Sequence, residues 1–97
     1  MIRHIALFRW TAGATEAQKA AVAAEFAALR PTLPSLREFA FGADAGLAEG
    51  NFDFAVAADF DDEAGYVAYR DDFAHREVIA RVIAPIVAQR VAVQIRY

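Results

Sequence analysis

The 97-residue sequence has no cysteine, one methionine, one tryptophan, two histidines and three prolines, and its apolar residues never form a long unbroken run. Without cysteine, neither a disulfide framework nor a thiolate metal site can hold the chain together, and a reducing, cytoplasmic location is expected. Two histidines alone cannot complete a structural zinc site, and no metal is assigned. There is no glycine-rich phosphate loop and no dinucleotide fingerprint, so no cofactor is expected. The opening Met1-Ile2-Arg3-His4-Ile5 interleaves charge with apolar residues, unlike a signal peptide or a membrane span, and no membrane partner is expected. Ten basic residues against thirteen acidic ones leave a formal charge of −3. That balance provides no cationic surface for a phosphate backbone, so nucleic acid is not an expected partner.

What the sequence does have is apolar surface. Its hydrophobic share is 58%, above the usual value of about 45–50%, although many alanines raise it. A chain of this length fits a single domain, 1–97, whose one small core cannot hide all of that surface.

Alternation marks the first strand from Ile2 to Trp10, with Ile2, His4, Ala6, Phe8 and Trp10 on one side and Arg3, Ile5, Leu7 and Arg9 on the other. Thr15 and Gln18 have capping-box spacing, so a helix starts near Thr15. Its bulky members are Val22, Phe26 and Leu29, and Pro31 and Pro34 stop it near Arg30. Leu36 to Phe41 reads as a second strand, followed by a loop containing Gly42 and Gly46 that ends at Glu49-Gly50-Asn51. Phe52 to Phe60 reads as a third strand with its phenylalanines, Val56 and Ala58 on one face. Asp61 or Asp62 caps a helix carrying Tyr66, Val67 and Tyr69, and Asp71-Asp72-Phe73 offers a second start leading to His75. An apolar stripe follows at Val78, Ile79, Val82, Ile83, Ile86 and Val87, and Val91, Val93 and Ile95 alternate as a fourth strand.

This β-α-β-β-α-β order is that of an α+β, ferredoxin-like fold: a four-stranded antiparallel sheet with its helices on one face. The expected arrangement turns Ile5 and Leu7 toward the helices and leaves Ala6, Phe8 and Trp10, with the aromatics of the second and third strands, on the bare face. An apolar face that large marks an interface or a ligand site. Packing two sheets face to face as a homodimer supplies both, with an apolar cavity between them.

The order and spacing of several segments resemble the stress-responsive dimeric α/β-barrel (Dabb) family over nearly the whole chain. They are Ile2-Arg3-His4-Ile5-Ala6-Leu7-Phe8, Thr15-Glu16-Ala17-Gln18-Lys19, Gly42-Ala43-Asp44, Glu49-Gly50-Asn51-Phe52-Asp53, Tyr66 to His75, and Arg90-Val91-Ala92-Val93. The resemblance implies a homodimeric α/β barrel in which the fourth strand helps to join the protomers. It implies no single activity. In the plant member olivetolic acid cyclase, which closes a tetraketide thioester by aldol condensation, the catalytic tyrosine and histidine match Tyr69 and His75, and a first-strand histidine matches His4. A further cyclase histidine falls at Phe54, and bulky pocket residues fall at Ala23 and Ala27, so the cyclase's substrate does not carry over.

Two functions follow as expectations. The first is a cofactor-independent enzyme acting by proton transfer on a small apolar or aromatic carbonyl ligand, cyclase-like or isomerase-like. His75 would be the base, kept neutral by the helix start, Tyr69 would donate to a developing oxyanion, and His4, the third catalytic candidate, would orient His75. A ligand would meet Ala6 and Phe8 of the first strand, Val22 and Phe26 of the first helix, and Phe39 of the second strand. Phe54, Val56 and Val78 complete the expected wall. The second is a non-catalytic module holding an apolar metabolite, in which His75 bonds backbone at a helix break and Tyr69 and His4 are core residues. A monooxygenase of the antibiotic-biosynthesis type is a further possibility by fold analogy. Asp59, Asp61, Asp62 and Glu63 resemble a divalent-ion cluster, but their place between a strand and a helix favours capping. Gly50-Asn51-Phe52-Asp53-Phe54-Ala55-Val56 superficially looks like the RNA-binding third strand of an RRM, yet Asp53 and Asp59 make it acidic.

Overall fold

In the computed structural model, which describes all of Met1 to Tyr97, β1 (Ile2–Trp10) is the spine of the sheet. It pairs antiparallel with β3 (Phe54–Phe60) on one side and with β4 (Val87–Arg96) on the other. β2 (Glu38–Ala43) adds to the far edge of β3, giving the order β2-β3-β1-β4. Helix α1 (Glu16–Leu29) begins at Thr15, where the capping box forms: the Thr15 side chain accepts from the Gln18 N–H and Gln18 Oε1 accepts from the Thr15 N–H. A single 3₁₀ turn at Arg30–Thr32 ends it, with Pro31 inside the turn.

The second helical region is broken as expected. α2 (Glu63–Asp71) is capped by Asp62, which accepts from the Gly65 N–H. α3 (Phe73–Val78) is capped by Asp72, which has extended backbone angles and accepts from the His75 N–H at 3.1 Å. The chain then widens into a π-helical turn, Ile79–Ile83, closed by the Ala84 N–H donating to the Ile79 carbonyl at 2.9 Å. No helix is long and apolar enough to cross a membrane.

Strand ends shift by a few residues from the alternation. β2 runs on through Gly42, which pairs with Ala55. β3 starts at Phe54 because the Asp53 carboxylate takes the Trp10 N–H at 2.8 Å, replacing a ladder bond next to the irregularity between Arg9 and Trp10. β4 starts as early as Val87, opposite Trp10.

The faces are the reverse of the expected arrangement. Ile2, His4, Ala6, Phe8 and Trp10 are all buried beneath the helices, in register with Phe60, Ala58, Val56 and Phe54, while Ile5 and Leu7 lie on the bare face. Period two tells which residues share a side but not which side is covered. Bulk decides it: Phe8, Trp10 and Phe54 interlock with one another, and Phe26 of α1 packs on Phe39, Phe41 and Phe54. The bare face holds smaller side chains in three rows across the sheet. Gly42, Ala55, Leu7 and Val91 form one, Ala40, Ala57, Ile5 and Val93 the next, and Glu38, Asp59, Arg3 and Ile95 the third. Val91, Val93 and Ile95 are 40, 52 and 41% exposed. At one end of this face Asp59 is buried and accepts two hydrogen bonds from Arg3 and one from the Tyr97 hydroxyl at 2.7 Å.

Candidate functional site

The cavity that brings the two histidines together lies inside one protomer, between the sheet and the second helical region, and not between two bare sheet faces. Small side chains open it. Ala6 and Val56 lie side by side on the sheet, flanked by Phe8 and His4, so the aromatic layer thins at its centre. Above them the π turn presents Ile79, Ala80, Ile83 and Ala84, and a wide turn of this type commonly marks a functional site. The resulting space is about 390 Å³, lined by 16 residues of which 11 are hydrophobic. That is within the usual size range for small-molecule pockets. Two other clefts, of about 530 and 510 Å³, lie around the Gly42 to Ala55 loop and beside Trp10, and neither holds a histidine or tyrosine.

Tyr69 and His75 come from different helices, and the break at Asp72 folds the second back on the first. Their ring centroids are 4.1 Å apart with an interplanar angle of 37°. His4 approaches from β1, 6.0 Å from Tyr69 and 5.1 Å from Tyr66 by ring centroids. All four rings line the cavity. Tyr66 was not expected there, although its i,i+3 spacing from Tyr69 puts the two on one helix face.

Burial sets the protonation states. It pushes the Tyr69 hydroxyl well above the ordinary phenol range, so the group is a donor at neutral pH. It lowers His75 below its ordinary value, and the backbone of Arg70 and the charge of Asp72 offset part of that. The neutral imidazole therefore owes more to burial than to the helix start. His75 Nδ1 is buried and has no hydrogen-bond partner in the protein. His4 is lowered to about 4 by burial, then by the charge of Arg90 and by His75. Gln94 Nε2 lies 2.8 Å from His4 Nδ1. With the amide so oriented it donates to Nδ1, leaving the imidazole proton on Nε2.

A prediction about acid stability follows. His4 binds a proton near pH 6.5 when unfolded and near pH 4 when folded. The unfolded state thus holds more protons between those values, and stability falls as pH drops through that window, by about 3 kcal/mol in all. The carboxyls of Asp59 and Asp61, held down chiefly by hydrogen bonds from Arg3 and Arg37, act only below their ordinary value of 3.8. His75, also lowered by burial, adds to the loss in the same direction. Urea titrations at steps from pH 7 to pH 4 should show the loss, and His4→Gln should make it shallower. An equally steep loss in His4→Gln would contradict this assignment.

The other expected residues divide. Ala6, Phe8, Phe26 and Val56 line the cavity. Val22, Phe39, Phe54 and Val78 do not: Val22, Phe54 and Val78 are buried in the core, and Phe39 packs against it beside Phe41 and Tyr69. Arg76, Arg90 and the π-turn residues were missed as cavity residues. Arg90, Ala92 and Gln94 pair with Phe8, Ala6 and His4 and so share the cavity face of β4; the signal in the sequence was only their alternation with Val91, Val93 and Ile95. No three His, Asp or Glu side chains converge in a way that could hold a metal ion. Of the acidic group, only Asp62 is a helix cap; Asp59, Asp61 and Glu63 are paired with Arg3, Arg37 and Arg96.

No curated protein sequence matches the chain. Among solved structures, a protein from Thermobifida fusca described as a dimeric ferredoxin-like protein of unknown function is 51% identical, with a TM-score of 0.92 over 99% of this chain and 90% of that one. A dimeric protein of unknown function and ferredoxin-like fold from Bacteroides fragilis is 20% identical, with a TM-score of 0.83 over 99% of this chain and 95% of that one. The hydroxynitrile lyase of Passiflora edulis is likewise 20% identical, with a TM-score of 0.82 over 97% and 90% of the two chains. The model of the stress responsive A/B barrel domain matches residues 2–96, and the chain belongs to that family.

Proposed function

We propose that the protein works as a homodimer in which each protomer holds a small apolar or aromatic carbonyl compound and moves a proton on it, with His75 as base and Tyr69 as hydrogen-bond donor. The observation that carries this reading is the pair itself: the His75 and Tyr69 rings, 4.1 Å apart by centroids, in one mostly apolar cavity. A base must be unprotonated at working pH, and a donor aimed at a developing enolate oxygen works best away from water. Both conditions follow from the burial of the two rings. His4 is a positioning residue, held by Gln94 and tilted against the two tyrosine rings.

The dimer reading rests on the bare face. Two of its three rows run from glycine and alanine on β2 and β3 to leucine, isoleucine and valine on β1 and β4. Under a two-fold axis that passes through its middle and runs along the strands, the bulky half of one protomer lies over the small half of its partner, as an isologous interface requires. The dimeric description of the 51% identical Thermobifida fusca protein agrees with it.

The test is exchange of the methylene protons beside the ketone of benzoylpropionate in deuterated water, followed by proton NMR. The wild-type protein should accelerate it saturably. Saturable binding with no acceleration would replace this proposal with a non-catalytic binding module.

A further inference from the structure

We infer that the compound carries a carboxylate as well as its carbonyl group, and that Arg90, helped by Arg76, receives it at the mouth of the cavity. This rests on the cavity reading above and adds the class of ligand.

The charged side chains that line the cavity are of one sign. The protein is acidic overall, yet the cavity lining contains Arg70, Arg76 and Arg90 and no aspartate or glutamate. Of the three, Arg70 is paired with Asp71; away from the cavity Arg3, Arg37, Arg81 and Arg96 each meet a carboxylate, and Arg9 lies over the Phe52 ring. Arg76 and Arg90 meet none, and of the arginines left unpaired only Arg30 lies away from the cavity. Asp71, whose charge Arg76 feels, is already paired with Arg70.

Arg90 is placed by the sheet. It pairs with Phe8 across β1 and β4, which fixes its side chain on the cavity face. Its positive charge disfavours protonation of His4 and His75 and favours ionisation of Tyr69, so its field reaches all three rings. An apolar enclosure with a cation at its rim selects an amphiphilic acid, whose body displaces water inside while its carboxylate takes the paired N–H groups of a guanidinium. A neutral ligand leaves that cation unused. The solvated alternative, two surface arginines that happen to border a cavity, predicts no preference for an acid.

The experiment compares benzoylpropionate with its uncharged amide, benzoylpropionamide, by calorimetry and by NMR shifts at the cavity residues. In the wild-type protein the acid should bind about tenfold more tightly than the amide. That preference should shrink as salt is raised, because the site is open at its rim. Arg90→Gln should remove most of the preference, and the double variant Arg76→Gln, Arg90→Gln all of it, with the amide's affinity unchanged in both. Arg90 and Arg76 are exposed, so the variants should fold. Equal binding of acid and amide in the cavity of the wild-type protein would overturn the carboxylate and leave the cavity reading standing. Binding of neither would overturn both.

Discussion

Replacing His75 by glutamine is expected to lower the rate of benzoylpropionate exchange at least about a hundredfold while leaving its affinity within about twofold. The split between rate and affinity is the informative part. Glutamine keeps a polar side chain of similar reach but cannot accept and hold a proton at neutral pH. Tyr69→Phe keeps the ring that packs on Phe39 and Phe60 and removes only the hydroxyl. It should cost about tenfold or more, because an oxyanion donor in a dry site is worth more than one in water. The wild-type rate should be flat through neutral pH and fall in acid. Burial holds His75 below the ordinary histidine value, so the base is lost only when pH drops past that lowered point. Folding should not suffer much in His75→Gln, because His75 is only half-buried, and circular dichroism checks it. If the variant exchanges protons as fast as the wild type, His75 is a structural residue of the helix break.

Val93→Asp is expected to give a folded monomer. Val93 sits in the middle row of the bare face beside Ile5, and it is 52% exposed in the isolated protomer, so an aspartate there meets water and costs the fold little. In the proposed dimer the same position is buried twice, once from each protomer. An unpaired carboxylate placed in an apolar interface costs several kcal/mol, and two of them should raise the dissociation constant by at least about a thousandfold. Light scattering coupled to gel filtration reads the mass directly, and circular dichroism checks the fold. The monomer should still bind benzoylpropionate, because the cavity is built from one chain. A Val93→Asp protein that remains dimeric would place the interface elsewhere.

Much of the fold was legible because its signals are local. Thr15 and Gln18 close a capping box within three residues, and Asp72 ends one helix and caps the next through contacts no more than three residues away. Strand alternation was equally plain, and it grouped His4, Ala6 and Phe8 correctly. What it could not give was the covered face. Ile5 and Leu7 are as apolar as Ala6 and Phe8, and only the fit of Phe26 and the other α1 side chains against the aromatic layer distinguishes the two sides. The cavity followed the same error, being expected between sheets and found beneath helices. Tyr69 and His75 were reached through family resemblance and not through spacing, since six residues across a helix break predict no contact. The π turn had no signal: Ile79 to Ile83 reads as ordinary helix, and the bond from the Ala84 N–H to Ile79 appears only in the folded chain. Arg90 was overlooked because charge on an edge strand is usually solvated, and its place opposite Phe8 appears only in the folded chain.

The placement of the ligand tests the account most directly, since everything chemical depends on the cavity lying within one protomer. Isoleucine methyl groups occupy both sides of the sheet: Ile79 and Ile83 line the cavity, and Ile5 and Ile95 lie on the bare face. In a methyl-labelled sample with benzoylpropionate bound, intermolecular nuclear Overhauser contacts should run from the ligand to Ile79, Ile83 and the Tyr69 ring. Contacts to Ile5 and Ile95 instead would put the ligand between the sheets and contradict the account.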